Sequence, residues 1–227
     1  MGAANGNGRS AEDRHAARVR DMPAPRKTRG LAGPAMRFLF TWPYRAGLAG
    51  LYRIGVRPWQ LTIASLLTNA IAGALFLTGR RLVPGLLLVL AGSFDIFDGG
   101  VARLRGEERR SGAFLDSVLD RVSDTILFAC LFWNEAAQAH DVEAALSLVT
   151  LVVALAVSHI RAEAEAAGVV MTGGFFQRLE RYVVLILGLL IPHALLPALA
   201  VLATLGAVTA LQRAWVTLQR IPEADRT

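Results

Sequence analysis

Residues 82–120 read LVPGLLLVLAGSFDIFDGGVARLRGEERRSGAFLDSVLD, and this stretch decides the fold. Its first part is almost wholly apolar and about 20 residues long, the length of a helix that crosses the hydrocarbon layer of a bilayer. Carboxylates stand near the end of that run and again just after the next connection, where apolar residues resume. Acidic residues inside membrane helices are costly and usually functional. The stretch therefore predicts a membrane protein whose chemistry lies near one face of the membrane.

The whole chain has the composition of a membrane protein. Of its 227 residues, 54% are hydrophobic and 19% are charged, which is too apolar for an ordinary soluble domain. The apolar residues come in long blocks, which excludes disorder for most of the chain, and the one cysteine, Cys130, excludes a disulfide scaffold. We predict an all-α integral membrane protein with six transmembrane helices. They fall at roughly 59–78, 82–102, 112–134, 142–166, 178–193 and 196–218.

The distribution of basic residues predicts how the chain is oriented across the membrane. Eleven basic residues precede the first span, whereas the connections on the other side hold only Arg80 and Arg81, so we expect both termini in the cytoplasm and the protein in the cell membrane. An uneven basic charge beside apolar spans indicates anionic membrane lipids as partners rather than nucleic acid.

We divide the chain into a disordered basic arm (1–34), an interfacial amphipathic helix (35–57), a six-helix domain (58–220) and a short cytoplasmic tail (221–227).

Four carboxylates form the candidate site. Asp95 and Asp98 are spaced i, i+3 at the end of the second span, and Asp116 and Asp120 are spaced i, i+4 at the start of the third. Each spacing places the pair on one helix face. Because the connection is short, we expect these two helices to be antiparallel neighbours and the four carboxylates to converge near the cytoplasmic end.

The carboxylates need positive charge close by. Together they would repel one another and take up protons unless cations neutralised them. Arg103 and Arg121 are partial counter-ions, but two hard divalent cations, Mg²⁺ or Mn²⁺, fit an all-oxygen ligand set better. Gly99, Gly100 and Gly112 beside the cluster would let a phosphate or a nucleobase approach the backbone.

This stretch resembles the signature of the CDP-alcohol phosphatidyltransferase family, D-x2-D-G-x2-A-R-x8-G-x3-D-x3-D. Every fixed position matches, at Asp95, Asp98, Gly99, Ala102, Arg103, Gly112, Asp116 and Asp120. The resemblance implies a six-helix membrane enzyme, a homodimer, that moves a phosphatidyl group from CDP-diacylglycerol to an alcohol hydroxyl and releases CMP. Gly73 and Gly206 would permit the close helix contacts of a dimer.

The same resemblance assigns roles to these residues. It implies that Asp95, Asp98, Asp116 and Asp120 bind the metals and that Asp120 is suited to take the proton of the attacking hydroxyl, although spacing alone does not say which Asp is the base. Near the first span the family often has Pro, a polar residue and a Thr; here Pro58 and Thr62 fit, while Trp59 replaces the polar residue and is expected to anchor the helix at the interface. The residues implied to bind the CDP-lipid are Thr62, Asp98, Gly99, Ala102, Arg103, Gly112 and Asp116.

Four later arginines bear on the acceptor alcohol, namely Arg161, Arg178, Arg181 and Arg213. All fall at cytoplasmic ends of predicted spans, where the positive-inside tendency alone would also place arginine. A phosphorylated acceptor gives them a second reason, because arginine binds phosphate with two hydrogen bonds.

The stretches 158–168, 173–181 and 209–213 resemble elements of the bacterial phosphatidylinositol phosphate synthases, which implies inositol 1-phosphate as the acceptor, held by these arginines. Two departures bear on that assignment. Arg161 stands for a lysine, which keeps the charge, and Glu163 stands for an arginine, which reverses it. If Glu163 touches the acceptor, the substrate differs; if it faces away, nothing changes.

Two alternatives remain. Glycerol 3-phosphate also carries a phosphate for the arginines and would keep the same chemistry. A divalent-cation transporter would use the four carboxylates as its pathway. Transport needs polar lining through both halves of the membrane, whereas the outer halves of the last four spans are almost wholly apolar.

Overall fold

The computed structural model describes residues 19, 22–23, 33–169, 171 and 176–224. It contains seven α-helices and, within those residues, no strand. They are α1 (Gly33–Arg53), α2 (Pro58–Phe76), α3 (Leu82–Arg105), α4 (Arg110–Ala137), α5 (Asp141–Ala166), α6 (Arg178–Leu190) and α7 (Leu195–Ala224). The all-α prediction is confirmed, and α2 to α7 follow the six predicted segments. Residues 1–18, most of the predicted basic arm, lie outside the described residues.

Short-range features explain where the helices begin and end. Pro58 stands in the first turn of α2, and the Arg57 backbone N–H donates to Gln60 Oε1 over 2.8 Å. At the start of α6 the Gln177 N–H donates to Glu180 Oε2 over 2.9 Å. Such bonds satisfy backbone donors that a helix start leaves free. Gly106 ends α3 with a φ of 65°, the left-handed conformation that glycine adopts at low cost.

Four described helices, α2, α3, α5 and α7, are long and apolar enough to cross a membrane. The predicted count of six is therefore confirmed only in part. α4 is long, with 28 residues, but its stretch 116–124 carries Asp116, Asp120, Arg121 and Asp124. α6 has 13 residues, which at about 1.5 Å per residue falls short of a bilayer's hydrocarbon thickness.

The helices form a closed ring. α2 packs against α3 and α4, α3 against α6, α6 against α7, α7 against α5, and α5 against α4, while α1 lies outside the ring against α3. Apolar side chains fill the ring, among them Phe76, Leu88, Leu127, Leu131 and Leu199. The helices α3 and α4, expected to be antiparallel neighbours, are not packed backbone to backbone along their length, because α2 packs against both of them.

The outer surface of the ring is apolar. Large apolar side chains are exposed on several helices, for example Leu67, Ile71, Leu86, Val152 and Leu211. Extended exposed apolar surface marks contact with a membrane or a partner. Together with the four long apolar helices, it identifies a membrane protein. The four tryptophans, Trp42, Trp59, Trp133 and Trp215, are exposed as well.

Two glycines expected at a dimer contact pack inside this chain. A Cβ at Gly73 would meet Ile126 of α4, and a Cβ at Gly206 would meet Val153 of α5. These residues allow helices of one protomer to approach closely. They therefore give no support to the predicted homodimer.

A polar network ties the loops at the end of the ring opposite Asp95 and Asp98. Glu135, which is 0% exposed, accepts hydrogen bonds from Arg81 Nη2 at 2.7 and 3.0 Å and from Asn134 Nδ2 at 3.0 Å. His140 Nδ1 lies 2.9 Å from the same carboxylate. A buried carboxylate needs such partners, and here they join the α2–α3 connection to the end of α4.

Candidate active site

Three of the four predicted carboxylates come together. Carboxylate oxygens of Asp95 and Asp98 on α3 and of Asp116 on α4 all lie within 4.8 Å of one another. The backbones of the two helices are not in direct contact, yet these side chains meet because each pair occupies one face of its helix. This all-oxygen set suits a hard divalent cation.

Two observations test whether the set fits a metal. Asp98 is buried and accepts a hydrogen bond from Thr62 Oγ1 over 2.9 Å, which holds the carboxylate in place. Asp116 Oδ1 is buried without a hydrogen-bond partner among the described residues. A buried carboxylate oxygen without a donor is costly unless a cation neutralises it. The residues therefore fit a divalent metal.

Arg178 also belongs to the carboxylate cluster. The sequence predicted this arginine as a contact of the acceptor phosphate and not as a partner of the carboxylates. Its Nη1 lies 2.8 Å from Asp95 Oδ2 and 2.8 Å from Asp120 Oδ1. Arg103 and Arg121, considered above as partial counter-ions, make their hydrogen bonds elsewhere: Arg103 donates to the Tyr44 hydroxyl, and Arg121 donates to Ser117 and to the Ser158 carbonyl. Arg178 replaces them because α6 packs on α3 and begins at the depth of the carboxylates.

A cavity lies inside the ring beside Arg178, the residue that contacts both Asp95 and Asp120. It is lined by five polar and five apolar residues from α4, α5, α6 and α7. The polar lining consists of Asp124, Thr150, Arg178, Arg181 and Tyr182. Nε and Nη1 of Arg181 are buried and have no acceptor among the described residues. Two guanidinium groups in one cavity can receive an anion.

Sequence reasoning missed Asp124. It follows Asp120 by one further turn on the same face of α4, and the repeat at 116, 120 and 124 was visible in the sequence. The family signature stops at Asp120, which is why Asp124 was passed over.

The other two predicted acceptor arginines lie further out. Arg213 donates to the Val157 carbonyl over 3.1 Å and keeps a buried Nε without a described partner. Arg161 is 56% exposed and pairs with Glu165 at 2.9 Å. Glu163, the reversed-charge position, is 68% exposed and faces His159, one turn earlier on α5. Glu163 is not among the residues that line the cavity.

Two glycines of the signature have open space around them. A Cβ at Gly112 would meet nothing within 4 Å, and one at Gly99 would meet only Arg103, at 3.6 Å. Packing among the described residues therefore does not require glycine at either place, so the open space suits a ligand. Ala102 is half-buried on α3. Arg103 Nη2 donates to the Tyr44 hydroxyl over 3.2 Å.

Comparisons with known proteins agree with this geometry. The model of the family described as CDP-alcohol phosphatidyltransferase matches residues 56–217. A phosphatidylinositol phosphate synthase of Corynebacterium glutamicum is 37% identical over 172 residues, covering 72% of this chain and 78% of its own.

Two solved structures of the Mycobacterium tuberculosis phosphatidylinositol phosphate synthase share the fold. The structure with CDP-DAG bound has 31% sequence identity and a TM-score of 0.68, covering 76% of this chain and 92% of that one. The structure in complex with manganese and citrate has 30% identity and a TM-score of 0.67, covering 76% and 88%.

Proposed function

The chain belongs to the CDP-alcohol phosphatidyltransferase family and is a transferase, and from this premise we propose that it transfers a phosphatidyl group from CDP-diacylglycerol to inositol 1-phosphate. The products are phosphatidylinositol phosphate and CMP. The observation that carries the proposal is that Arg178 joins two arrangements: it contacts Asp95 of the carboxylate cluster and Asp120, and it lines the cavity together with Arg181. The synthases reported above support the choice of acceptor.

Divalent metal ions, two in the proposal, would be held by Asp95, Asp98, Asp116 and Asp120. Bound there, Mg²⁺ or Mn²⁺ would supply positive charge to the pyrophosphate as CMP leaves. The related structure with manganese supports this assignment. Thr62 orients Asp98 through the hydrogen bond described above.

Asp120 is the proposed general base. It accepts the proton of the acceptor hydroxyl while the oxygen of that hydroxyl forms a bond to the phosphorus that carries the diacylglycerol. The bond from this phosphorus to the CMP oxygen breaks, and CMP leaves with the electron pair. Arg178 holds Asp120 Oδ1 at 2.8 Å, which fixes the direction in which the carboxylate accepts the proton.

The phosphate of the acceptor is proposed to bind in the cavity. Arg178 and Arg181 line it, and Arg181 has buried N–H groups free of described acceptors. Arg213 and Arg161 add positive charge further out. Because Glu163 is exposed and does not line the cavity, its reversed charge gives no reason to replace inositol 1-phosphate. Glycerol 3-phosphate stays the alternative acceptor.

The CDP-lipid is proposed to bind on the open side of the cluster, between α3 and α4. The residues assigned to it are Thr62, Asp98, Gly99, Ala102, Arg103, Gly112 and Asp116. Open space at Gly99 and Gly112 supports close approach of the nucleotide to the backbone.

The proposed disposition places six helices, α2 to α7, in the bilayer. α4 and α6 take part because they close the ring, although their own sequences are charged or short. α1 lies on the cytoplasmic interface, the site and both termini face the cytoplasm, and the protein forms a homodimer. Transport of cations is not supported, because the ring interior beyond the cavity is filled by apolar side chains.

The test is CMP release by the purified protein in detergent with CDP-diacylglycerol and Mg²⁺. Inositol 1-phosphate, glycerol 3-phosphate, inositol and serine are supplied separately, and Asp120→Asn is the variant. We expect release with inositol 1-phosphate and its loss in the variant. Release with a different acceptor would overturn the assigned substrate, and no release with any acceptor would overturn the proposed reaction.

A further inference from the structure

One tyrosine joins α1 to the signature segment of α3. Tyr44 is 5% exposed, and its ring stacks on that of Phe97 with the centroids 5.5 Å apart and the planes at 4°. Phe97 lies immediately before Asp98. Parallel, offset aromatic pairs of this kind stabilise the contact between two elements.

Glycines make this contact possible. A Cβ at Gly100 would collide with the Tyr44 hydroxyl and with Leu48, and a Cβ at Gly47 would collide with the Phe97 ring. Gly100 occupies a position that the family signature leaves free. The glycine there is therefore explained by packing against α1 and not by the chemistry that the family shares. The two helices are therefore fitted to each other at Tyr44.

The Tyr44 hydroxyl reaches the functional residues. It accepts a hydrogen bond from Arg103 Nη2 over 3.2 Å. Burial raises the pKa of Tyr44, against the opposing effect of the Arg103 charge, so the hydroxyl stays neutral at physiological pH. A long, flexible arginine at a helix end loses rotamer freedom when it is held in this way, and the hydrogen bond fixes one arrangement before the substrate arrives.

We propose that Tyr44 is a positioning residue for the CDP-lipid, which acts by holding Arg103 in the orientation that receives the nucleotide. The inference rests on the proposed function, because it takes Arg103 as a CDP-lipid contact. It also gives α1 a role in the reaction beyond attachment to the membrane. Tyr44 itself touches Arg103 and the α3 helix.

The first experiment compares Tyr44→Phe with Tyr52→Phe. The phenylalanine keeps the ring stacked on Phe97 and removes only the hydroxyl, and Tyr52 is a second buried tyrosine about two turns further along α1. We expect Tyr44→Phe to raise the KM for CDP-diacylglycerol about threefold to tenfold, as for the loss of one hydrogen bond. The kcat, the KM for the acceptor and the melting temperature stay at wild-type values, and Tyr52→Phe behaves as wild type in all four.

A double-mutant cycle tests whether Tyr44 acts through Arg103. Arg103→Ala raises the KM for CDP-diacylglycerol, and adding Tyr44→Phe in that background changes it no further. The inference is overturned if Tyr44→Phe raises the KM for CDP-diacylglycerol equally in the wild-type and Arg103→Ala backgrounds, or if it leaves that KM unchanged. It is also overturned if Tyr44→Phe lowers kcat and the melting temperature together.

Equilibrium binding of CDP-diacylglycerol in detergent separates this inference from the proposed function. Binding needs no acceptor. The wild type, Tyr44→Phe, Arg103→Ala and the double variant can therefore be compared even if no acceptor is turned over. A wild-type protein that binds the CDP-lipid but releases no CMP would contradict the proposed reaction, and the cycle would still decide the role of Tyr44. Wild-type affinity in Arg103→Ala would overturn the inference at its premise.

Discussion

Thr62 shows how one side chain can tune the site without lying in the metal cluster. Its hydroxyl donates to Asp98, a member of the three-carboxylate set. Hydrogen bonds to metal ligands fix their orientation, and their loss commonly lowers metal affinity about tenfold or more. Thr62 therefore acts on the metal through Asp98 as well as through any contact with the CDP-lipid.

We predict that Thr62→Val raises the Mg²⁺ concentration needed for half-maximal CMP release about tenfold. Valine keeps the shape of the side chain and removes the donor. Thr68→Val is the control, because Thr68 lies on the same helix but donates to the Ala64 carbonyl of its own helix over 2.7 Å. Equal Mg²⁺ dependence in both variants would contradict the role given to Thr62.

The acceptor arginines differ in their surroundings, and this yields a second prediction. Arg181→Gln removes a guanidinium that lines the cavity, so the KM for inositol 1-phosphate should rise at least about tenfold, as for loss of charged hydrogen bonds. Arg161→Gln should have a smaller effect, because Arg161 is half exposed and paired with Glu165. Kinetics with varied acceptor at saturating CDP-diacylglycerol would measure both.

Arg220, exposed near the end of α7, supplies the matched control as Arg220→Gln. A larger effect for Arg161→Gln than for Arg181→Gln would show that the acceptor phosphate binds outside the cavity.

At the scale of helices, the sequence predicted where each helix begins and ends better than it predicted which helices pack together. Helix bounds followed the expected segments within three residues, except that α7 ends at Ala224 where 218 was predicted, because Pro58, Gly106 and the apolar run lengths act locally. The convergence of Asp95, Asp98 and Asp116 was also predicted, since each pair shares a helix face.

Contacts over long separations could not be predicted. Arg178 reaches Asp95 across 83 residues of chain, and Tyr44 reaches Arg103 across 59. Such pairs depend on which helices are packed together, and apolar faces of similar composition do not specify that. For the same reason, the short connection between α3 and α4 predicted that they are neighbours but not that α2 packs against both of them.

The network at Glu135 leads to a prediction about stability. Removing one partner of a buried ion pair leaves an uncompensated charge, so Arg81→Gln should destabilise the fold by about 2 kcal/mol, less than a complete loss of partners because Asn134 and His140 remain. Thermal unfolding in detergent would show a lower melting temperature than in Arg80→Gln, an exposed neighbour.

CMP release below the melting temperature should be unchanged by Arg81→Gln, since the network lies at the end of the ring away from the carboxylates. A loss of activity in a stably folded Arg81→Gln protein would show that this end is coupled to the site.

For the molecule as a whole, the proposed orientation can be tested on its loops. In a Cys130→Ser background, Arg109→Cys in the α3–α4 connection should react with a membrane-impermeant thiol reagent only in inside-out vesicles. Arg80→Cys in the α2–α3 connection should react only from outside intact cells. The reverse pattern would contradict a cytoplasmic site, and labelling of both from one side would contradict the assignment of α3 as a membrane-spanning helix.

The central claim concerns which alcohol enters a site that joins a carboxylate cluster to an arginine-lined cavity. The most direct measurement supplies inositol 1-phosphate, inositol and glycerol 3-phosphate together at equal concentration, with CDP-diacylglycerol and Mg²⁺, and identifies the lipid product by mass spectrometry. We predict phosphatidylinositol phosphate as the product, and its loss in Asp120→Asn. Phosphatidylglycerol phosphate or phosphatidylinositol as the main product would contradict the account.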